Sequence, residues 1–288
     1  MPGVADPPPI THPATRVNAI AHRSIFVPVM TGLVVAAWAA LWLWSVSPYA
    51  SYVRHGNWLD LGPAAVLCRA LPGGDVVVPA MLHASGWLLM IVAMMLPTTL
   101  PLLEKFSRMT SGRGDAGILL ALVVAGYVGV WFAFGLAAHA LDRLLLDATP
   151  DSPWLVANGW IVGAAVIGGA GLFQFTALKR RCLDQCRTPL SFVMQHWRGG
   201  HERRSALALG LHHGAFCLGC CWALMLLMFV VGTGSIGWML ALGAAMAVEK
   251  NMPWGKRIST PLGIALLAVA AVTVAVHVVP AWSTAGGA

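Results

Sequence analysis

The chain has 288 residues, of which 58% are hydrophobic and only 10% charged, with a formal net charge of +7. A typical soluble domain carries about 25% charged residues, so polar groups on this scale cannot cover a water-exposed globule. The positive balance does not call for nucleic acid either, because the charges are sorted along the chain by its apolar segments.

The stretch up to His22 is rich in proline, and residues 1–24 read as an irregular cytoplasmic tail. Seven apolar stretches follow, approximately Phe26–Val46, Ala80–Leu103, Gly117–Leu141, Leu155–Leu178, Ser205–Val231, Ser235–Val248 and Ile258–Val279. Segments of this length and hydropathy predict membrane-spanning helices. The sixth is the shortest. The first is longer than the apolar core of a cleaved signal peptide and carries Trp38, Trp42 and Trp44 near one end, as an interfacial belt does. The expected fold class is therefore all-α: a polytopic bundle of about seven spans in one transmembrane domain, residues 25–281, with a short external tail at 282–288.

Of the 18 Lys and Arg residues, a seven-span topology places all but Arg54, Arg69 and Arg143 on the side of the N-terminus. This positive-inside asymmetry predicts a cytoplasmic N-terminus and an external C-terminus. The lipid bilayer of a cell (inner) membrane is the expected environment, and no nucleic-acid partner is implied.

The second span carries Met90, Met94 and Met95, then Pro97 and Pro101, and ends at Glu104. Pro97 removes a helical hydrogen bond in mid-span. Met90 and Met94 share a stripe at helical spacing, and thioether sulfur is a ligand chiefly for soft ions. Glu104-Lys105 and Glu249-Lys250 close the second and sixth spans and read as interfacial ion pairs or a gate. The fourth span is strewn with Gly159, Gly163, Gly168, Gly169 and Gly171, which predicts close helix contact and a central place in the bundle.

A basic inner loop, Lys179–Arg204, is expected next. It holds Cys182 and Cys186, four residues apart, with His196 as a possible helper. Neighbouring Lys and Arg side chains favour thiolates there. Cys68 lies alone in the largest outer loop.

The fifth span contains the chemistry. Its run His212-His213-Gly214-Ala215-Phe216-Cys217-Leu218-Gly219-Cys220-Cys221-Trp222 places His213, Cys217, Cys220 and Cys221 within about 100° of one another on one helix face. Hydrocarbon is a poor solvent for imidazole and thiolate, so such groups at membrane depth normally have partners and a function. One nitrogen and three sulfurs suit a soft metal. His212 points elsewhere.

Met94-Met95-Leu96-Pro97, Lys179-Arg180-Arg181-Cys182 through Cys186-Arg187-Thr188-Pro189, His213 through Met225, and Glu249-Lys250 with Pro253 resemble the successive signature blocks of the DUF2182 family. Its members are bacterial integral membrane proteins described as predicted metal-binding. The resemblance covers roughly Ala80 to Gly263 and implies a metal-handling membrane protein without naming the metal.

The resulting reading is a non-enzymatic membrane protein that transports or delivers a transition metal ion. Cu(I) is favoured and zinc second. The expected metal ligands are His213, Cys217, Cys220, Cys221, Cys182, Cys186, Met90 and Met94, and a soluble metallochaperone or a metalloenzyme client is a possible partner. Two other readings compete. One is a thiol–disulfide exchanger using Cys217 and Cys220, with no stoichiometric metal. The other is a structural or assembly subunit whose cysteines only pack.

Overall fold

A computed structural model describes residues 13–47, 74–148, 152–197, 201–231 and 235–285. Among these, every regular element is helical. The helices are α1 (Pro13–Ser45), α2 (Gly74–Met90), α3 (Leu96–Thr110), α4 (Ala116–Ala148), α5 (Pro153–Phe173), α6 (Ala177–Arg187), α7 (Pro189–His196), α8 (Glu202–Val231), α9 (Ile236–Asn251) and α10 (Ser259–Ala285). Cys68 and the basic residues Arg54 and Arg69 lie outside the described residues. The first helix begins at Pro13, within the stretch read as an irregular tail: residues 14–24 contain neither proline nor glycine, and the pattern lets the helix extend backwards.

Among the described residues, five stretches are long and apolar enough to cross a membrane: Pro28–Ser45, His83–Thr110, Ala116–Leu141, Glu202–Val230 and Gly255–Val278. A sixth follows if Ala157–Phe173 and Ala177–Arg187, bent by 63° at their junction, form one broken span. The expected sixth span corresponds to α9, whose 16 residues fall short of the ~20 needed to cross hydrocarbon. The outward faces are apolar. Val29, Leu33, Val35 and Trp42 on α1 and Ile264, Val269, Val272 and Val276 on α10 are all exposed, far more apolar surface than water tolerates in one body.

Pro97 has the expected local effect, with a specific repair. A π-helical turn at Ile91–Met95 joins α2 to α3. Proline has no N–H for the carbonyl four residues earlier, which is that of Ala93. The Trp38 indole Nε1 donates to that carbonyl at 3.1 Å. Such a break is tolerated in an apolar bundle only when a neighbour re-satisfies it, and α1 supplies the donor.

The centre of the bundle is α8, with α4 pressed against it. A Cβ at Gly210 would lie 2.1 Å from the Val123 carbonyl oxygen, and one at Gly126 would lie 2.5 Å from that of Leu207. These glycines let the two backbones touch. The central place expected for α5 is not observed. Gly171 does nest against Leu267 and Gly263 of α10, yet Gly159 and Gly169 face open space. Glycine lets helices approach, but only where a partner stands opposite.

The segment expected as an inner loop is also different. Residues 177–196 form α6 and α7, and α6 packs against the middle of α8. Thr176 caps its start, the hydroxyl accepting from the Lys179 backbone N–H at 3.2 Å. Pro189 opens α7, the position where a missing N–H costs nothing.

Candidate metal centre

The cysteines of α8 and α6 meet in the principal core, beside Met90, Met94, Met95, Met225, Met228, Met239 and Met246. Cys217, Cys220 and Cys221 are essentially inaccessible. Cys220 Sγ lies 3.3 Å from Cys221 Sγ and 4.0 Å from Cys186 Sγ. Cys220 Sγ also donates to the Cys217 carbonyl oxygen at 3.1 Å. All five cysteines among the described residues are free thiols.

Cys182 sits one turn before Cys186 on α6, and its sulfur occupies the space that a Cβ at Gly219 would take, 2.7 Å away. The absence of a side chain at Gly219 thus lets α6 approach the sulfur cluster. The cations around Cys182 are engaged elsewhere. Lys179 pairs with Glu249, Arg180 donates to the Phe175 carbonyl at 2.9 Å, and Arg187 donates to the carbonyls of Glu249, Met252 and Pro253. The cation that does reach a cysteine comes from α9. Lys250 Nζ donates to Cys217 Sγ at 2.8 Å and to Thr98 Oγ1 at 3.4 Å.

Tyr127 of α4 completes this surround, its hydroxyl 3.0 Å from Cys217 Sγ and 3.4 Å from the Met95 carbonyl oxygen. Neither Tyr127 nor Lys250 stood out in the sequence as a site residue. Lys250 looked like half of an interfacial pair with Glu249. Instead, Glu249 is buried, held by Lys179 Nζ at 2.8 and 2.9 Å and by Ser259 Oγ at 2.7 Å. Glu104 does behave as an interfacial residue, paired with Arg108 one turn on.

His213 is buried, its ring stacked on Tyr127 with centroids 5.7 Å apart and edge-on to Phe192 at 5.4 Å. Its Nδ1 is buried with no hydrogen-bond partner. Such an orphan is costly. Among the described residues, no group of three or more His, Cys, Asp or Glu side chains stands ready to hold a metal ion. Even so, Cys186 and Cys221 approach Cys220 one turn from Cys217, Cys182 sits one turn from Cys186 against Gly219, and His213 lies one turn from Cys217 across Tyr127. Met94 is in the same core, packed over Gly243 of α9, as is Met90.

A buried lysine against a cysteine sulfur lets a thiolate sit in an apolar core as half of a pair. The neighbouring sulfurs offer soft donors, and the surrounding methionines exclude water. Sulfur donors of this kind suit a soft transition-metal ion.

No curated protein and no solved structure matches the chain. A family model does match, over residues 84–273, well over half of the sequence. It describes a copper chaperone and spans the cysteine-bearing helices α6 and α8, the methionine-bearing turn and Lys250 of α9. The blocks that resemble DUF2182 lie in almost the same stretch, and the match assigns that stretch to a copper-related family. The chain belongs to the copper chaperone family PpoB2.

Proposed function

We propose that the protein binds Cu(I) in a membrane-embedded helical bundle and delivers it to a partner, a metalloenzyme client or another copper carrier. The ligands are drawn from Cys217, Cys220, Cys221 and Cys186, with Cys182 in reserve and Met90 and Met94 lining the way. The observation that carries this reading is the approach of Cys186 of α6 and Cys221 of α8 to Cys220, one turn from Cys217, whose own sulfur is held by the buried Lys250.

Cu(I) is preferred over zinc for two physical reasons. Thiolate and thioether donors select soft ions, and Cu(I) is content with two or three sulfurs. Structural zinc asks for four ligands in a tetrahedron, and four thiolates around a divalent ion would stay net negative even beside the Lys250 ammonium, which is costly in an apolar core. Charge also balances: two thiolates and one Cu(I) carry a net negative charge that the Lys250 ammonium cancels. Delivery is preferred over transport because the family match is to chaperones.

The test is anaerobic purification in detergent, followed by metal analysis and X-ray absorption in the presence of a strong Cu(I) chelator. The expected result is chelator-resistant, sulfur-coordinated copper that is lost in the C217S/C220S/C221S variant. Zinc at stoichiometric level, or no chelator-resistant copper after anaerobic loading, overturns the reading. Reversible Cys217–Cys220 disulfide formation without bound metal would replace it with thiol exchange.

A further inference from the structure

We propose a second Cu(I) site, made of His196 and His212, on the surface where α7 meets α8, which receives the ion before it reaches the sulfur cluster. The inference rests on the copper reading above, but its residues lie outside the sulfur cluster.

His196 ends α7 and His212 lies on α8, and their ring centroids are 5.0 Å apart. Each ring is held in the same way. His196 Nδ1 is 2.9 Å from the Phe192 carbonyl oxygen, and His212 Nδ1 is 2.8 Å from that of Ala208, in each case the carbonyl four residues earlier on the same helix. A carbonyl oxygen can only accept, so Nδ1 carries the proton in both rings and Nε2 keeps its lone pair. An imidazole whose Nδ1–H is anchored to a backbone carbonyl is the usual support of a metal-ligating histidine, because it fixes both tautomer and ring orientation. Two such rings side by side, from two helices, offer a two-coordinate nitrogen site. That coordination number suits Cu(I), whereas a divalent ion would be left under-ligated.

The accessibility is right for a receiving site. His212 is exposed and His196 half-buried. Behind the pair lies a path of contacts to the sulfurs. Phe192, fully buried, stacks on His196 at 4.2 Å and meets His213 edge-on. His213 is next to His212 in sequence and four residues before Cys217, hence on the cysteine face of α8. Its unpartnered Nδ1 provides a donor between surface and core. The order of donors is nitrogen at the surface, nitrogen half-way, and sulfur at depth. Only the last step changes donor type, and passing from imidazole nitrogen to sulfur binds a soft ion more firmly.

The test uses Cu(I) itself, titrated anaerobically with a weak chelator present, into the wild type, H196Q/H212Q, C217S/C220S/C221S and the combined variant. Wild type is expected to bind one ion through sulfur and a weaker one through nitrogen by X-ray absorption. The cysteine variant should keep the nitrogen-bound ion, H196Q/H212Q should keep the sulfur-bound one, and the combined variant should bind neither. Loading of the sulfur site from dilute Cu(I) should slow in H196Q/H212Q. Loss of all copper in a folded cysteine variant overturns the second site and leaves the sulfur site standing. Nitrogen-bound copper without sulfur-bound copper in wild type overturns the function proposed above and leaves the histidine site. Retention of the nitrogen-bound ion in the combined variant assigns it elsewhere and also overturns the proposal. Helical circular dichroism and elution volume verify folding of each variant.

Discussion

Lys250 Nζ lies 2.8 Å from Cys217 Sγ, and both residues are buried. The two come from α9 and α8 and are 33 residues apart in sequence. Hydrogen bonds involving a charged group are worth about 1.5–3 kcal/mol, so K250Q should weaken Cu(I) binding by about 10- to 100-fold, with K250R recovering part of it. Chelator competition measures this directly, and an unchanged affinity would remove Lys250 as the counter-charge.

The buried pair Lys179–Glu249, both residues about 1% exposed, joins the start of α6 to the end of α9. Removing one member of a buried pair costs about 3–5 kcal/mol because the other charge is left alone. E249Q and K179M should each lower the melting temperature in detergent markedly, whereas K179M/E249L should be less damaging than either single change. A double-mutant cycle checks the non-additivity.

The Trp38–Ala93 hydrogen bond repairs what Pro97 breaks. W38F keeps the ring and deletes the donor, leaving a buried carbonyl unsatisfied at a cost of about 1–3 kcal/mol. P97A in the same background restores an N–H for that carbonyl. The loss in W38F should therefore shrink when P97A is present, as read by thermal unfolding.

Glycines that look alike in the sequence should respond very differently. G210A drives a Cβ into the Val123 carbonyl, while G169A meets nothing within 4 Å. The first should destabilise by about 1–3 kcal/mol or more through overpacking, and the second should leave stability unchanged or slightly raised. Equal responses would contradict the α4–α8 contact.

At the turn between α3 and α4, Arg113 bridges Asp115 and Glu202. The guanidinium holds the Asp115 carboxyl below its ordinary value. A lowered carboxylate contributes stability above the unfolded-state value and loses it as pH falls through the folded one. These groups lie at the surface, Arg113 exposed and Asp115 and Glu202 half-buried, so the effect should be small and fade in high salt. Melting curves of wild type and R113Q at acidic pH, with and without salt, should differ only in low salt.

Much of the candidate site was legible because helical periodicity is a strong signal. His213, Cys217, Cys220 and Cys221 were expected on one face, and the three cysteines do face a common core. Cys182 and Cys186 were paired by their spacing, and that spacing holds on α6. What periodicity cannot report is which helix packs against which face. Lys250 reads as an interfacial lysine until α9 is seen to stop short and deliver it to Cys217. Residues 179–204 read as a loop because Lys179, Arg180, Arg181 and Arg187 dominate the start of their composition, yet 179–196 are largely helical and Lys179 is buried by Glu249, 70 residues later. The glycines of α5 announced close packing, but the partner that used glycine most was α4, through Gly126 against Leu207 and the facing Gly210 against Val123.

The three-residue break at 174–176 mounts Cys182 and Cys186 on a helix set at an angle of 63° to the one before it, separate from α8 with Cys217, Cys220 and Cys221. An ion bridging the two would act as a reversible cross-link across that joint. Loading would stiffen the joint, and flexing it would release the cargo. Copper occupancy should then be readable as amide-exchange protection in α6, far above any change in α4, and a client that pried α6 away would receive the ion without competing for every sulfur at once.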